Sequence, residues 1–296
     1  MDCGRTPRVR ASKTDLMLPS GTRISRCRLE DHEAASKMVY RVMRTLMTFV
    51  LSVTFCLGIV AADGELRDVV IDERFATLDD WEDLVFSNID HMTEYSVIGI
   101  DDACAEPGSS PNRPNDHRGT ALFIESDDGG SGIVHGVEID AYDHPIVEWR
   151  WRVESNIDTG DPLTREGDMF PVRVYVNFAY DPRRASFGTR VQYGVIRALY
   201  GEYPPHGSLV YVWANREEPA TWYPNPYTAR AMMYPADRGG NDVGQWKVHR
   251  RNIIDDYRAA FGEDPPRTAQ LAVMGDAYGS GETSRAWIDF IRVGRK

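Results

Sequence analysis

The chain has 296 residues, of which 42% are hydrophobic and 27% are charged, an ordinary composition for a globular protein. Residues 1–62 carry 10 Lys and Arg against 5 Asp and Glu, whereas residues 63–296 carry 24 against 40. A surface this acidic repels phosphate backbones, so the composition argues against a nucleic acid partner. After residue 62 only Cys104 remains, so we expect no disulfide framework.

A secretory signal peptide is predicted at residues 43–62. It has a positively charged start, a mostly apolar centre at Leu46–Val60, and small residues at its end. The apolar run is shorter than the ~20 residues that cross a bilayer as a helix. We therefore expect cleavage, no stable membrane span afterwards, and a periplasmic or secreted product. Residues 1–42 are interpreted as a disordered tail or as sequence upstream of the true start at Met43.

Strand patterns dominate residues 63–296, which we interpret as a single domain. Apolar and polar residues alternate strictly in IVEWRWRV, Ile146–Val153, and again in PVRVYVNFAY, Pro171–Tyr180. Alternation of this kind is typical of strands with one face on a core. The other predicted strands are Val69–Phe75, Glu94–Ile100, Gly119–Glu125, Ser208–Trp213, Thr228–Tyr234, Gln245–Arg251, Thr268–Gly275 and Arg285–Val293.

Helices are predicted only at Val191–Tyr200 and at Ile253–Phe261, which a glycine and two nearby prolines bring to an end. Many short strands joined by turn-rich loops favour a mainly all-β fold. We expect an antiparallel β-sandwich of jelly-roll type with one or two short helices.

The polar face of the two alternating strands is the first candidate for ligand binding. If both strands lie in one sheet, that face presents Arg150, Arg173, Tyr175 and Asn177 together. Planar polar groups and an aromatic ring suit the hydroxyls and the flat face of a sugar. A solvated outer face with cross-strand ion pairs is the alternative.

A second candidate is the aromatic segment YVWANREEPATWYPNPY. Trp222 and Tyr223 lie in its Pro- and Asn-rich part, where we expect them to be exposed at the rim of the sandwich as a platform for ligand stacking. The alternative is that these two rings fold back as a hydrophobic plug.

Carboxylates at strand positions form a third group. Asp168 and Asp276 would suit acid–base cleavage of a glycoside if they lie about 5–10 Å apart. Glu73 in the first strand and Asp289 in the last are predicted to hold a structural calcium ion. Surface carboxylates without a ligand are the alternative for both pairs. The chain contains no GxSxG, HExxH or GxxxxGK[ST] motif.

Several segments of residues 68–296 resemble a bacterial family of exported proteins, domain of unknown function 3047. They are WRW, GDMFPVRVYVNF, YVWAN, KVHRRNIIDDYRAAFGEDPP and LAVMGDAYGSGETSRAWIDFIRV. The resemblance implies a secreted single-domain β protein and supplies no activity or site. This chain has Asp168 followed by Met169 where the family has an aspartate pair, and only Asp276 at the end of the penultimate strand. Both departures weaken an acidic site.

The sequence thus favours a non-catalytic module that binds a glycan or another cell-envelope component. A carbohydrate-active hydrolase or lyase that uses Asp168 and Asp276 is the first alternative. A structural envelope protein that binds another protein is the second, and it predicts an exposed apolar patch near Trp222.

Overall fold

The computed structural model describes residues 65–86, 89–100, 119–188, 190–191, 193–194 and 203–296. The predicted signal peptide and the residues before it lie outside this part of the chain, as does most of the predicted helix Val191–Tyr200. Among the described residues, no helix is long and apolar enough to span a membrane.

The described residues form thirteen strands and a helix, α1, at Ile253–Phe261. The strands are β1 Arg67–Glu73, β2 Trp81–Leu84, β3 Glu94–Gly99, β4 Thr120–Asp127, β5 Gly130–Asp140, β6 Ile146–Val153, β7 Phe170–Phe178, β8 Gly207–Ala214, β9 Tyr223–Pro224, β10 Ala231–Arg238, β11 Lys247–Asn252, β12 Thr268–Asp276 and β13 Thr283–Arg295.

These strands form two sheets, and the chain crosses between them repeatedly. The six-stranded sheet has the order β11-β6-β13-β4-β3, with β1 also paired to β13, and the seven-stranded sheet has the order β2-β5-β12-β7-β8-β10-β9. The predicted β-sandwich of jelly-roll type is confirmed. One pair differs from the expected antiparallel pattern, because β8 and β10 run parallel.

The core between the sheets is built from the apolar sides of the alternating strands. The fully buried residues Trp149 and Trp151 of β6 pack near Tyr211 and Trp213 of β8 across the two sheets. Burial of large aromatic side chains of this kind is a major source of stability in a sandwich.

The two best predicted strands lie in different sheets. β6 is in the six-stranded sheet and β7 is in the seven-stranded sheet. Their apolar sides face each other across the core, so their polar sides point in opposite directions. The expectation of one shared polar face is therefore wrong, because alternation shows which side of a strand is apolar but not which sheet contains it.

Strands β2, β5 and β9 were missed by the sequence analysis. β5 has glycines at Gly130, Gly132 and Gly136, which interrupt the alternation and are unfavourable in strands. β2 and β9 are only 4 and 2 residues long, too short to show a period.

Helix α1 is confirmed at the predicted residues. Asn252 caps its start by accepting hydrogen bonds from the backbone nitrogens of Ile254 and Asp255. Gly262 ends it with φ 72°, a left-handed conformation that favours glycine.

Two buried histidines are expected to make the stability of the protein depend on pH. Burial lowers the pKa of His135 and of His206, although nearby carboxylates oppose the shift at both. The unfolded chain therefore binds protons more readily, so the free energy of unfolding should fall as the pH drops through about 6.5. Denaturant unfolding at a series of pH values measures this slope.

The double variant His135→Gln, His206→Gln should reduce that slope between about pH 7 and pH 5. The exposed His91→Gln should leave the slope unchanged. An equal slope in the wild type and the double variant would contradict the assignment.

Candidate functional site

An open groove of about 960 Å³ crosses the outer face of the seven-stranded sheet. It follows β7, with β5 and β12 on one side and β10 on the other. Small and apolar side chains contribute to its floor: Val134, Ala231, Met233, Ala272 and Met274. An apolar surface with a few polar groups along it is the usual composition of a ligand site.

Three polar residues of β7 line the groove because they alternate with core residues. Arg173, Tyr175 and Asn177 point outward, whereas Val174 and Val176 are fully buried. At ~3.3 Å per residue, the three outward side chains extend along ~13 Å of the groove. The structure thus brings together three of the predicted ligand-binding residues.

Arg173 lies between two carboxylates and is 2% exposed. Its Nη2 lies 2.7 Å from Asp276 Oδ2, and its Nη1 lies 3.5 Å from Asp168 Oδ2. Nη2 also donates to the backbone oxygen of Asp168 at 2.7 Å, and the guanidinium lies 4.8 Å from the ring centre of Phe170. Burial opposes its charge, but the interactions with the Tyr175 hydroxyl and with the carboxylates of Asp168 and Asp276 raise the pKa of Arg173. It therefore remains a cation.

A glycine on the neighbouring strand makes room for Asp276. Gly130 of β5 lies opposite Asp276 of β12, and a Cβ at Gly130 would lie 3.0 Å from Asp276 Oδ1. Asp276 Oδ1 accepts from the backbone nitrogen of Tyr278 at 3.0 Å, while Oδ2 accepts from Arg173. Burial raises the pKa of Asp276, and the charge of Arg173 opposes that rise.

Asp168 has one oxygen without a partner. Its Oδ2 accepts from Asn225 Nδ2 at 2.7 Å, whereas its buried Oδ1 has no hydrogen-bond partner among the described residues. The buried hydroxyl of Tyr223 is likewise unpaired there, and burial and then the charge of Asp168 raise its pKa. An unpaired buried polar atom costs about 1–3 kcal/mol, so these two groups lower the free energy of unfolding.

Three exposed tyrosines line the groove. Tyr203, Tyr227 and Tyr278 are 43%, 60% and 41% exposed. Tyr227 is held in place because its hydroxyl donates to the backbone oxygen of Arg165 at 2.9 Å and the guanidinium of Arg165 lies 5.3 Å from its ring centre. The sequence analysis chose none of them for stacking, although the aromatic segment of its second candidate ends at Tyr227. Each stands beside a proline or a glycine, and this loop signal could have identified them.

Asn177 and Gln270 are polar residues farther along the groove. Asn177 Oδ1 accepts from Ser208 Oγ at 2.7 Å, and Gln270 Nε2 donates to the backbone oxygen of His135 at 2.9 Å. These bonds hold both amide groups in fixed orientations beside the floor.

Arg150 lies on the opposite side of the sandwich from the groove. It projects from the outer face of the six-stranded sheet, where its Nη1 donates to Asp289 Oδ2 at 2.9 Å and its guanidinium lies 4.9 Å from a ring of Trp246. The prediction that Arg150 and Arg173 contact the same ligand is wrong, because the core separates the two faces.

The expected exposure of Trp222 and Tyr223 is also wrong. Trp222 is half-buried and packs on Tyr211 and Tyr234, with ring centres 6.0 and 5.0 Å away. Tyr223 is buried in β9 and packs in a cluster that includes Met233. These rings fill gaps in the packing, so neither forms the predicted stacking platform. The protein-partner hypothesis also loses the apolar patch that it placed at Trp222.

Glu73 and Asp289 do not form a joint calcium site. Glu73 accepts from the backbone nitrogen of Phe75 and, at 2.9 Å, from Trp81 Nε1, which belongs to the other sheet. Its carboxylate therefore faces the space between the sheets. Asp289 instead pairs with Arg150 on the outer face, so the two carboxylates point to opposite sides of the six-stranded sheet.

Glu73, Asp80 and His135 bring their potential metal-ligand atoms within 4.8 Å of one another. However, His135 Nδ1 accepts a hydrogen bond from the backbone nitrogen of Val137 at 3.1 Å. That bond leaves the ring proton on Nε2, which then lacks the lone pair that a metal ion needs. We interpret this group as a partly exposed polar cluster.

Residues 79–292 match the family described as "Protein of unknown function (DUF3047)". The chain belongs to this family. The match confirms the resemblance found in the sequence, and membership in DUF3047 assigns no activity and no site residue. No protein of curated function matches the chain.

A comparison with solved structures matches this DUF3047 protein to several of them at low similarity. The enzymatically active domain of tailspike protein 4 of bacteriophage CBA120 is 7% identical, with a TM-score of 0.33; the match covers 74% of this chain but only 20% of that one. The family 11 carbohydrate-binding module of Clostridium thermocellum, solved with a β-1,3-1,4-mixed-linked tetrasaccharide, is 10% identical, with coverage of 77% and 95% and a TM-score of 0.30. The family 30 module of a cellulosomal cellulase of the same organism is 10% identical, with a TM-score of 0.32; the match covers 78% of this chain and 95% of that one. Likenesses this small carry no argument about the ligand of the groove.

Proposed function

We propose that this protein is an exported, non-catalytic module that binds a glycan of the cell envelope or its surroundings in the groove of the seven-stranded sheet. The observation that carries the proposal is the open groove itself, which combines exposed tyrosine rings with fixed amide and carboxylate groups. A sugar presents flat apolar C–H faces and hydroxyl edges at once, so it matches such a mixed surface. Export to the periplasm or the medium is part of the proposal and rests on residues 43–62.

Polar groups at both ends of the groove support an extended ligand. Arg173 and Asp276 lie at one end, and Tyr180 and Tyr203 lie at the other. The stretch of β7 and its extension from Arg173 to Tyr180 measures ~23 Å at ~3.3 Å per residue. The groove can therefore contact several consecutive sugar units.

The hydrolase alternative has one observation in its favour. Asp168 and Asp276 both contact Arg173, so their separation does not exceed the upper limit of about 10 Å that glycoside cleavage allows. Against it, both oxygens of Asp276 already accept hydrogen bonds, from Tyr278 and from Arg173. A general acid needs a proton on an oxygen that can reach the substrate, which Asp276 does not offer in this arrangement.

A glycan panel tests the proposal. The purified protein is expected to bind at least one polysaccharide and to release it at its original length. Tyr227→Ala should weaken that binding about tenfold or more, equivalent to about 1.4 kcal/mol, because an exposed ring of the groove is removed. Affinity is measured by titration calorimetry, and the recovered glycan is sized by chromatography.

Tyr142→Ala is a closely matched control. Tyr142 is 40% exposed, its hydroxyl donates to the backbone oxygen of Pro265, and the guanidinium of Arg267 lies 5.7 Å from its ring centre, yet it does not line the groove. Its removal should leave affinity unchanged. Equal losses in the two variants would overturn the assignment of the groove. A shortened glycan would instead favour the hydrolase, with Asp168→Asn and Asp276→Asn as the variants that should stop cleavage.

A further inference from the structure

Carboxylates predominate among the charged side chains that line the groove. They are Glu138, Glu166, Asp168 and Asp276, against Arg165 and Arg173. The excess of negative charge matches the acidic composition of residues 63–296.

Only one of the two arginines is paired with carboxylates. Arg173 is buried and contacts both Asp168 and Asp276. Arg165 is exposed; its Nε donates to the backbone oxygen of Pro226 at 3.2 Å and its guanidinium lies over the ring of Tyr227. Four carboxylates against two arginines leave the lining with a net negative charge, which an acidic ligand would meet on entering the groove.

We propose that the groove selects glycans without acidic groups. This inference rests on the proposed function and adds the class of ligand. Its physical basis is repulsion. An acidic ligand would bring its negative charge, partly stripped of water, next to the carboxylates of the groove, and this disfavours its binding relative to an uncharged ligand.

The test uses purified protein and polysaccharides of three kinds: neutral glucans, amine-bearing chitosan, and acidic polyuronates. We expect binding to neutral or amine-bearing glycans, and at least tenfold weaker binding to polyuronates at low salt. Equal or tighter binding of the polyuronates would overturn this inference and leave the proposed function standing. Binding to none of the three would overturn both.

Charge reversal at one exposed lining residue sharpens the test. Glu138 lies on β5, is exposed, and pairs in register with Gln270. Glu138→Lys should improve polyuronate binding about tenfold at low salt, and added salt should remove the gain. Glu65→Lys makes the same change in net charge at an exposed residue outside the groove, and it should have no effect. Equal gains in the two variants would contradict selection by the groove.

Discussion

Arg173→Met is expected to lower the free energy of unfolding by about 3–5 kcal/mol. The substitution removes the only guanidinium in contact with both Asp168 and Asp276 among the described residues, and it leaves two carboxylates that are each 9% exposed. A buried charge that loses its partner keeps its desolvation cost, which is why the effect exceeds that of a surface ion pair. Urea unfolding at neutral pH measures the loss.

Two companion variants separate this electrostatic effect from a change in packing. Adding Asp168→Asn and Asp276→Asn to Arg173→Met should restore most of the stability, because the uncompensated charges are removed. Arg285 also bridges two carboxylates, Glu125 and Glu154, but at an exposed site, so Arg285→Met should lower the free energy of unfolding far less than Arg173→Met does. Similar losses from the two arginine substitutions would show that burial does not govern the effect.

The second large effect is expected at Asp256, which connects helix α1 to the core. Asp256 Oδ2 accepts from the hydroxyl of Tyr211 at 2.7 Å and from Arg251 Nε at 2.8 Å. Asp256→Ala should therefore cost about 3–5 kcal/mol, because it leaves the charge of Arg251 and the buried hydroxyl of Tyr211 without their acceptor. Chemical denaturation reports the change.

Asp255→Ala is the matched control. Asp255 lies in the same first turn of α1, so both substitutions lose a similar favourable interaction with the helix dipole. The Asp255 side chain is 66% exposed and lies 3.6 Å from Arg258, so its removal should cost less than about 1 kcal/mol. If the two variants unfold at the same denaturant concentration, the buried network adds nothing to stability.

The sequence predicted the positions of several groove residues but not the contacts that they make. The alternation of β7 correctly placed Arg173, Tyr175 and Asn177 on one outward face. Asp168 and Asp276 were chosen as paired carboxylates, and the structure does bring them to one guanidinium. That guanidinium turns the expected acid–base pair into an ion-pair cluster, a change that depends on contacts between residues far apart in the chain.

The aromatic residues show the opposite result. Trp222 and Tyr223 have the composition of an exposed loop but pack inward, because the sandwich has space for them beside Tyr234 and Met233. The exposed rings belong to Tyr203, Tyr227 and Tyr278. Whether an aromatic residue in a loop is buried depends on the space left by strands that are distant in the chain, and the local sequence does not determine that space.

The sequence by itself determined the class of fold, ten of the thirteen strands, helix α1 and the family of this protein. These features depend on local periodicity, helix caps and recognisable segments, all of which can be read along one stretch of chain. Only the tertiary structure decided that β6 and β7 lie in opposite sheets, that Arg150 and Arg173 face opposite sides, and that a groove follows β7. The physical reason is that alternation fixes which side of a strand is buried, whereas sheet membership depends on long-range pairing between strands.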